Sequence, residues 1–408
     1  MAPLHGLKVL DLTSVVMGPY CTTMLRHLGA EVIKLESLDG DITRSIGPMT
    51  HDGQSGSFAS INNGKRSIAV DLQDERGREI CLNIARRSDI LIHSIRPDAL
   101  QRLRLNYASI AAVNPTIIYC NLLGFGRRGC YFGKPAYDDT IQALSGLAML
   151  QGEQLGYPVY VTSVFADKLA GLMGAYAVLA AVVSRDRTGA GQEIDVPMFE
   201  TMAACLLAEH ATGAVFKPPL SRPVYSRLVS RHRRPFATKS GYLSIMVYND
   251  KHWQAFCAVA DRKDLLQDPR FANFSNRTHN VDDYYALISE IVLTRTAEEW
   301  QPLLEQVQIP CAQVNRLDDL STDPHLRDVG FFAEFRDQWN EPLQLPRFPV
   351  EFSGTPALEP SMAPLLGEHS RLILSDCGYP DAEIEMLIQA GVVRASEPQQ
   401  EFPKGPLA

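Results

Sequence analysis

Leu-Lys-Val-Leu-Asp-Leu-Thr-Ser-Val-Val-Met-Gly-Pro-Tyr-Cys-Thr-Thr-Met-Leu-Arg-His-Leu-Gly-Ala-Glu-Val-Ile-Lys-Leu-Glu (residues 7–36) carries two short apolar runs, Leu7–Leu12 and Glu31–Leu35. Val, Ile and Leu dominate both, as they do in strands buried on both faces. The stretch between them predicts a helix over Pro19–Leu28, with Pro19 suited to the first helical position, where an N–H has no partner anyway. Ile68–Leu72, Asp89–His93 and Thr116–Asn121 read as further strands, and Glu75–Arg87, Asn106–Val113 and Asp139–Met149 as further helices. Strand and helix in alternation over this length predict an α/β fold on an open, mostly parallel, Rossmann-like sheet.

The alternation continues through Thr-Ser-Val-Phe-Ala-Asp-Lys-Leu-Ala-Gly-Leu-Met-Gly-Ala-Tyr (162–176), where Asp167 opens a run with no charge between Lys168 and Arg185. Its many Gly and Ala residues predict a tightly packed buried helix. An acid in the first turn faces the positive end of the helix dipole, which favours the ionised form that a carboxylate nucleophile requires. The alternative is an ordinary N-terminal cap. A Gly-rich turn at Thr188–Gly191, a strand around Glu193–Val196 and a helix over Met198–Gly213 follow.

Character changes near Val215. Lys217–Lys239 holds four Pro and seven basic residues, and no Asp or Glu occurs between Glu209 and Asp250. Beyond it Gly241–Val247 and Pro310–Val314 read as strands, and His252–Ala260, Val281–Leu293 and Ala297–Gln306 as helices, which predicts a smaller α+β domain. A second Pro-rich stretch precedes a helix over Asp381–Ala390, and residues 395–408 lack apolar periodicity. The expected organisation is a large domain over 1–215, a small domain with its linker over 216–320, and a return linker with the C-terminal part of the large domain over 321–408.

A net charge of −8 argues against general binding to nucleic acid or a membrane surface. The eight cysteines are scattered without a Cys-x-x-Cys pair, and the histidines form no zinc-like spacing, so no metal site is expected. The N-terminus lacks the pattern of a signal peptide, and the apolar stretch after Asp167 reads as too short and too rich in Gly and Ala to span a bilayer. A cytoplasmic location is the expectation. Thr-Ser-Val-Val-Met-Gly-Pro-Tyr follows the first strand, so no Gly-x-Gly-x-x-Gly dinucleotide fingerprint stands there, and Gly-x-x-x-x-Gly-Lys-[Ser/Thr] and Gly-x-Ser-x-Gly are absent; this removes dinucleotide, P-loop and α/β-hydrolase chemistry from the leading options.

Seven blocks stand in a telling order: 28–36, Gly-Asp-Ile-Thr-Arg (40–44), Asn-Asn-Gly-Lys-Arg-Ser-Ile-Ala-Val-Asp-Leu (62–72), Ser-Asp-Ile-Leu-Ile-His-Ser-Ile-Arg-Pro-Asp-Ala-Leu (88–100), Tyr-Asp-Asp-Thr-Ile-Gln-Ala-Leu-Ser-Gly (137–146), the Asp167 block and Gly-Gln-Glu-Ile-Asp-Val-Pro-Met-Phe-Glu (191–200). Pro-Leu-Leu-Gly-Glu-His-Ser (364–370) closes the series. Together they resemble class III CoA-transferases of the formyl-CoA:oxalate type along almost the whole chain.

The resemblance implies an enzyme that moves CoA between an acyl-CoA and a small carboxylic acid through covalent intermediates on Asp167, with CoA as cosubstrate and no permanently bound cofactor. It implies Asp138 as an acid beside the nucleophile, with helix capping as the alternative. Lys65 and Arg102 match basic positions on the nucleotide side of CoA and read equally as solvated surface cations. Val15 and Val16 lie in the loop after the first strand, at the edge where such sheets bind ligands; core packing is the other reading. The family also implies an interlocked homodimer. Ser37 stands where many members carry a basic residue, and the Gly-Gly-Gly-Gly loop of oxalate-specific members has no counterpart in 215–262, which argues against formyl-CoA:oxalate transfer.

Two rivals remain at this point. α-Methylacyl-CoA racemases share the fold but use a His–Asp pair, and Tyr137 occupies the His position here; Tyr is a poor base for an α-carbon. A non-catalytic CoA-binding protein is the other. Arg227, Arg231, Arg233 and Arg234 are candidates to hold a distal carboxylate, which points to a dicarboxylic substrate such as succinate, itaconate, mesaconate, malate or glutarate, among which the sequence does not choose. A solvated basic loop or a subunit contact is the alternative.

Overall fold

The computed structural model describes residues 1–50, 53–336 and 342–396, so most of the aperiodic 395–408 segment lies outside the described residues. The chain forms two compact units. The first takes residues 1–145, 162–203 and the described part of 329–408; the second takes 146–161 and 204–328. The second unit thus begins earlier than the change at Val215 suggests, and it includes a segment, 146–161, that the sequence reading places in the first.

Through the first half the chain forms β1 (Lys8–Leu12), α1 (Met17–His27), β2 (Glu31–Glu36), α2 (Gly56–Asn62), β3 (Arg66–Val70), α3 (Glu75–Arg86), β4 (Ile90–His93) and α4 (Pro97–Leu103). Next come α5 (Tyr107–Val113), β5 (Ile118–Leu123), α6 (Asp138–Leu144), α7 (Leu147–Gly152), α8 (Phe165–Thr188), β6 (Gln192–Pro197) and α9 (Met198–His210). The second unit adds α10 (Ser226–Val229), β7 (Phe236–Thr238), β8 (Gly241–Ile245), α11 (Asp250–Val259), α12 (Phe274–His279), α13 (Val281–Val292), α14 (Ala297–Gln306), β9 (Cys311–Gln313) and α15 (Pro324–Asp328). The chain closes with β10 (Phe332–Arg336), β11 (Pro342–Pro346), α16 (Ser370–Asp376), α17 (Asp381–Gln389) and β12 (Val393–Arg394).

Seven strands make the main sheet in the order β12–β3–β2–β1–β4–β5–β6. All pairs from β3 to β6 are parallel, with Val9 opposite Val32 on one side and Ile90 on the other; only β12 runs antiparallel, against β3. The chain winds outward from β1 to β3 and then returns to lay β4 against the other side of β1. That reversal opens a crevice at the carboxyl ends of β1 and β4, where sheets of this order bind ligands.

One face of the sheet packs Leu10, Ile33, Ile68 and Leu91 against Ile80, Ile84, Ile110, Leu374 and Ile384 of the covering helices. On the other face α8 lies close along α1, and its small residues are the reason. A Cβ at Gly171 would stand 2.6 Å from the Met17 carbonyl oxygen, and one at Gly174 3.1 Å from Cys21 Sγ. Contrary to the sequence reading, α8 is long and apolar enough, by length and composition, to cross a membrane; half of its most apolar window is buried inside the protein.

Three local expectations need correction. Pro19 is the third residue of α1 rather than the first, still within the turn whose N–H groups lack intrahelical partners. The helix expected over Asp139–Met149 is two, because Gly146 adopts φ 87 and breaks it. β3 ends at Val70, two residues short of the apolar run.

The second unit has its own core. Antiparallel β7–β8–β9 is covered by helices that bury Trp253, Phe256, Phe271, Tyr284 and Trp300 together. Trp300 donates its indole N–H to the Val292 carbonyl at 2.7 Å, and Thr296 with Glu299 forms a capping box at the start of α14.

Candidate active site

β1 passes into α1 through Thr13–Val16, at the crevice between β1 and β4. Two buried ion pairs grip this turn. Asp11 accepts the Thr13 N–H at 2.9 Å, the Thr22 hydroxyl at 2.6 Å and Lys65 Nζ at 3.2 Å. Burial alone would raise the Asp11 carboxyl, yet Lys65 and Lys34, with the Thr13 and Thr22 hydroxyls, hold it at about 2. Lys34, on β2, donates to the Thr13 carbonyl at 2.8 Å and to Asp41 at 3.0 Å. Asp41 in turn accepts the Val15 N–H at 3.2 Å. Val15 itself has φ 69, a left-handed conformation that costs a β-branched residue on the order of 1–3 kcal/mol.

Facing the turn is Asp167, the third residue of α8. It does not cap the helix: Val164 is the N-cap and supplies no side-chain bond. Instead the buried carboxylate of Asp138, at the start of α6, accepts the Asp167 N–H at 3.0 Å and the Gln142 amide at 2.6 Å. The Asp167 carboxylate receives no hydrogen bond from the described residues and is only 8% exposed. Burial, followed by the charge of Asp138, pushes its carboxyl up to about 7. This corrects the expectation that the helix dipole would leave it readily ionised: desolvation and a like charge outweigh the dipole. The result is a carboxyl that ionises through the neutral range and, once ionised, lacks the hydrogen bonds that would blunt it as a nucleophile.

A cavity of about 300 Å³ joins these parts, lined by Ser14, Val15, Arg96, Lys134, Tyr137 and Asp167 among others. The loops after β1 and β4 supply two of its walls, as the reversal of strand order requires. A separate recess of about 390 Å³, lined by Arg76, Asn83, Tyr379 and Met386, includes none of these loops. Of the two, the smaller one holds Asp167.

The structure sorts the expected residues. Val15, Asp138 and Asp167 come together, with Val15 and Asp167 in the cavity wall. Val16 is the N-cap of α1 and accepts the Tyr20 N–H at 2.8 Å. Lys65 departs from its expected place beside a nucleotide. Its ammonium is buried and held by Asp11, the Pro19 carbonyl, Thr22 and Asn62, and burial pushes it down to about 8. Arg102 is exposed in the last turn of α4 with no ion pair among the described residues.

The arginine cluster belongs to the second unit. Arg231, Arg233 and Arg234 are exposed, whereas Arg227 is half-buried between the Tyr225 and Tyr248 rings. Its Nη1 donates to the Tyr285 hydroxyl at 3.2 Å, and its buried Nε has no partner among the described residues. Two cavity cations escaped the sequence reading, Arg96 and Lys134. Arg96 stands in the quoted 88–100 block, three residues past the end of β4, so the strand order would have singled it out. Lys134 sits in the loop 124–137, where no periodicity marks it.

Comparison with known proteins finds relatives along almost the whole chain. The model of CoA-transferase family III matches residues 4–370. Succinyl-CoA:glutarate CoA-transferase of Mus musculus is 32% identical over 401 residues, covering 97% of this chain and 92% of its own. Succinyl-CoA:mesaconate CoA-transferase of Haloarcula marismortui is 31% identical over 388 residues, 93% of this chain and 97% of its own. The crystal structure of a CAIB/BAIF family protein from Brucella suis superposes with a TM-score of 0.79 at 31% identity, over 92% of this chain and 99% of that one.

Proposed function

Because the chain belongs to CoA-transferase family III, we propose that it exchanges CoA between an acyl-CoA such as succinyl-CoA and a small dicarboxylic acid, with Asp167 as the covalent nucleophile. The observation that carries this reading is the Asp167 carboxylate, buried, without a hydrogen-bond donor among the described residues and open to the cavity at the carboxyl edge of the sheet. The dicarboxylic substrate class is supported by the succinyl-CoA:glutarate and succinyl-CoA:mesaconate relatives.

In the first step a carboxylate oxygen of Asp167 attacks the thioester carbonyl; a C–O bond forms, the C–S bond breaks, and CoA leaves as thiolate. The thiolate attacks the aspartyl carbonyl of the resulting mixed anhydride, giving an aspartyl thioester and releasing the donor carboxylate. The acceptor carboxylate displaces CoA from that thioester, and the thiolate then takes the acceptor acyl group and regenerates Asp167. Anhydride and thioester lie close in energy, so the barrier is divided among similar steps. The backbone amide of Val16, in the turn whose Val15 N–H is already held by Asp41, is suited to stabilise the tetrahedral oxyanions. Asp138 holds the start of α8 and, after burial, adds to the rise of the nucleophile's carboxyl.

We further propose that the active form is a homodimer, interlocked as the family resemblance implies; the exposed apolar side of α8 at Leu172, Met173, Tyr176 and Val183 supports a subunit contact. All eight cysteines are free, which supports a reducing compartment such as the cytoplasm. The test is transfer itself: succinyl-CoA incubated with a panel of mono- and dicarboxylic acids should yield new acyl-CoA with dicarboxylic acceptors. Rapid α-deuterium exchange of a chiral 2-methylacyl-CoA in deuterated water, without any acceptor, would contradict the reading and favour isomerisation.

A further inference from the structure

Lys34 and Asp41 form an ion pair at 3.0 Å with both side chains essentially fully buried, and the transfer chemistry above uses neither. Each also holds backbone in the turn after β1. Lys34 Nζ donates to the Thr13 carbonyl at 2.8 Å, and Asp41 Oδ1 accepts the Val15 N–H at 3.2 Å. The pair therefore spans Ser14, fixing the carbonyl before it and the amide after it. Asp41 is fixed in turn by the Thr43 N–H at 3.0 Å, by the Thr43 hydroxyl at 2.8 Å and through its own N–H on Glu36 at 3.0 Å.

Ser14 and Val15 are wall of the cavity that holds Asp167. A β-branched residue at φ 69 stays there only where its surroundings impose it. A buried ion pair is a poor device for stability alone, because desolvation offsets most of its Coulombic gain. It is a direct device for imposing a conformation that the turn would otherwise leave. Resting on the assignment of this cavity to the transfer reaction, we infer that Lys34 and Asp41 are positioning residues: their ion pair keeps Val15 left-handed, so that the turn presents its backbone to the reacting carbonyl beside Asp167.

Without the pair, Val15 relaxes to negative φ and the peptide units on either side of it swing. Turnover then suffers more than the fold. The test is a double-mutant cycle between K34M/D41N, which removes both charges and leaves neither buried alone, and V15G, which makes positive φ free of strain. In the Val15 background K34M/D41N should fold and lose kcat on the order of 10²-fold, with KM for the acyl-CoA changing much less. In the V15G background the same pair of changes should cost roughly tenfold or less, because glycine holds the turn without help. If K34M/D41N does not fold, D41A alone carries the cycle, since it removes the acceptor of the Val15 N–H while Asp11 remains as a counter-charge near Lys34.

Equal losses in both backgrounds, an unaffected kcat in a folded variant, or failure of both variants to fold would each overturn the positioning role. Asp167→Asn measured alongside separates this from the nucleophile assignment. Turnover surviving there removes the nucleophile and leaves the cycle readable, whereas a flat cycle with D167N inactive removes the positioning role alone.

Discussion

Asp11 and Asp167 are both aspartates buried in the first unit, one under the end of β1 and one at the start of α8. Asp11 has a lysine, two hydroxyls and a backbone amide around its carboxylate, and is held at about 2. Asp167 has no donor among the described residues and a second carboxylate nearby, and is pushed up to about 7. Burial is the largest influence at both, so the difference lies in compensation. A compensated buried charge belongs to the scaffold, and an uncompensated one is held at a cost to folding, which makes it the place to look for chemistry.

The largest effect that would break this comparison is on turnover. Asp167→Asn should lower kcat by on the order of 10⁴-fold or more, as loss of a covalent nucleophile does, without loss of helix content or thermal stability. Steady-state kinetics and a thermal melt check both halves.

Second in size is the scaffold side. Lys65→Met strands Asp11 in the core without its main counter-charge and should destabilise the protein by about 3–5 kcal/mol in urea titration. A change below about 1 kcal/mol would mean that Asp11 is not compensated in the way described.

The two aspartates also impose opposite slopes of stability against pH. Asp11, lowered in the folded state, contributes stability that is present above its unfolded value near 3.8 and is lost as pH falls toward 2. Asp167 is raised, so the folded state holds its proton longer than the unfolded one, and stability falls as pH rises from about 4 to 7. Asp167→Asn should therefore be more stable than the parent at pH 8, by an amount on the order of a few kcal/mol, and the gain should fade by pH 4. A gain independent of pH would contradict the raised carboxyl.

A smaller effect sharpens the account of cause. The rise of kcat/KM with pH should have its limb near the Asp167 value of about 7. Asp138→Asn removes the second cause of the shift and keeps an acceptor for the Asp167 N–H. The limb should move to lower pH yet stay well above the ordinary carboxylate range, because burial is the larger cause. The smallest effect concerns selectivity. Alanine at Arg227, Arg231, Arg233 or Arg234 should at one position cost a dicarboxylic acceptor roughly tenfold in kcat/KM and a monocarboxylic one much less; uniform losses would make the loop a surface or a subunit contact.

Much of the fold was legible because a doubly covered parallel sheet writes itself as apolar runs, and five of its strands carried them. Asp167 was legible too, as the one carboxylate opening a charge-free Gly/Ala helix. What could not be read is how charge is disposed in space. Glu-Val-Ile-Lys-Leu-Glu of β2 places Lys34 and Glu36 inside the fold, paired with Asp41 and Arg44 from the following loop. Lys65 read as a nucleotide contact or a solvated cation, while the first turns of α1, Pro19 to Thr22, which enclose its ammonium, are distant in sequence. The Asp167 shift comes first from burial that only packing supplies and then from Asp138, 29 residues earlier.

The central claim is that Asp167 carries the acyl and CoA groups in turn, and trapping tests it most directly. During turnover with succinyl-CoA and an acceptor acid, hydroxylamine should intercept the aspartyl thioester and convert Asp167 alone to a hydroxamate, read by mass spectrometry of the peptide containing Phe165–Tyr176. Inactivation should track the modification and should require acyl-CoA. A modified residue elsewhere, or complete turnover in hydroxylamine with Asp167 unmodified, would contradict the account.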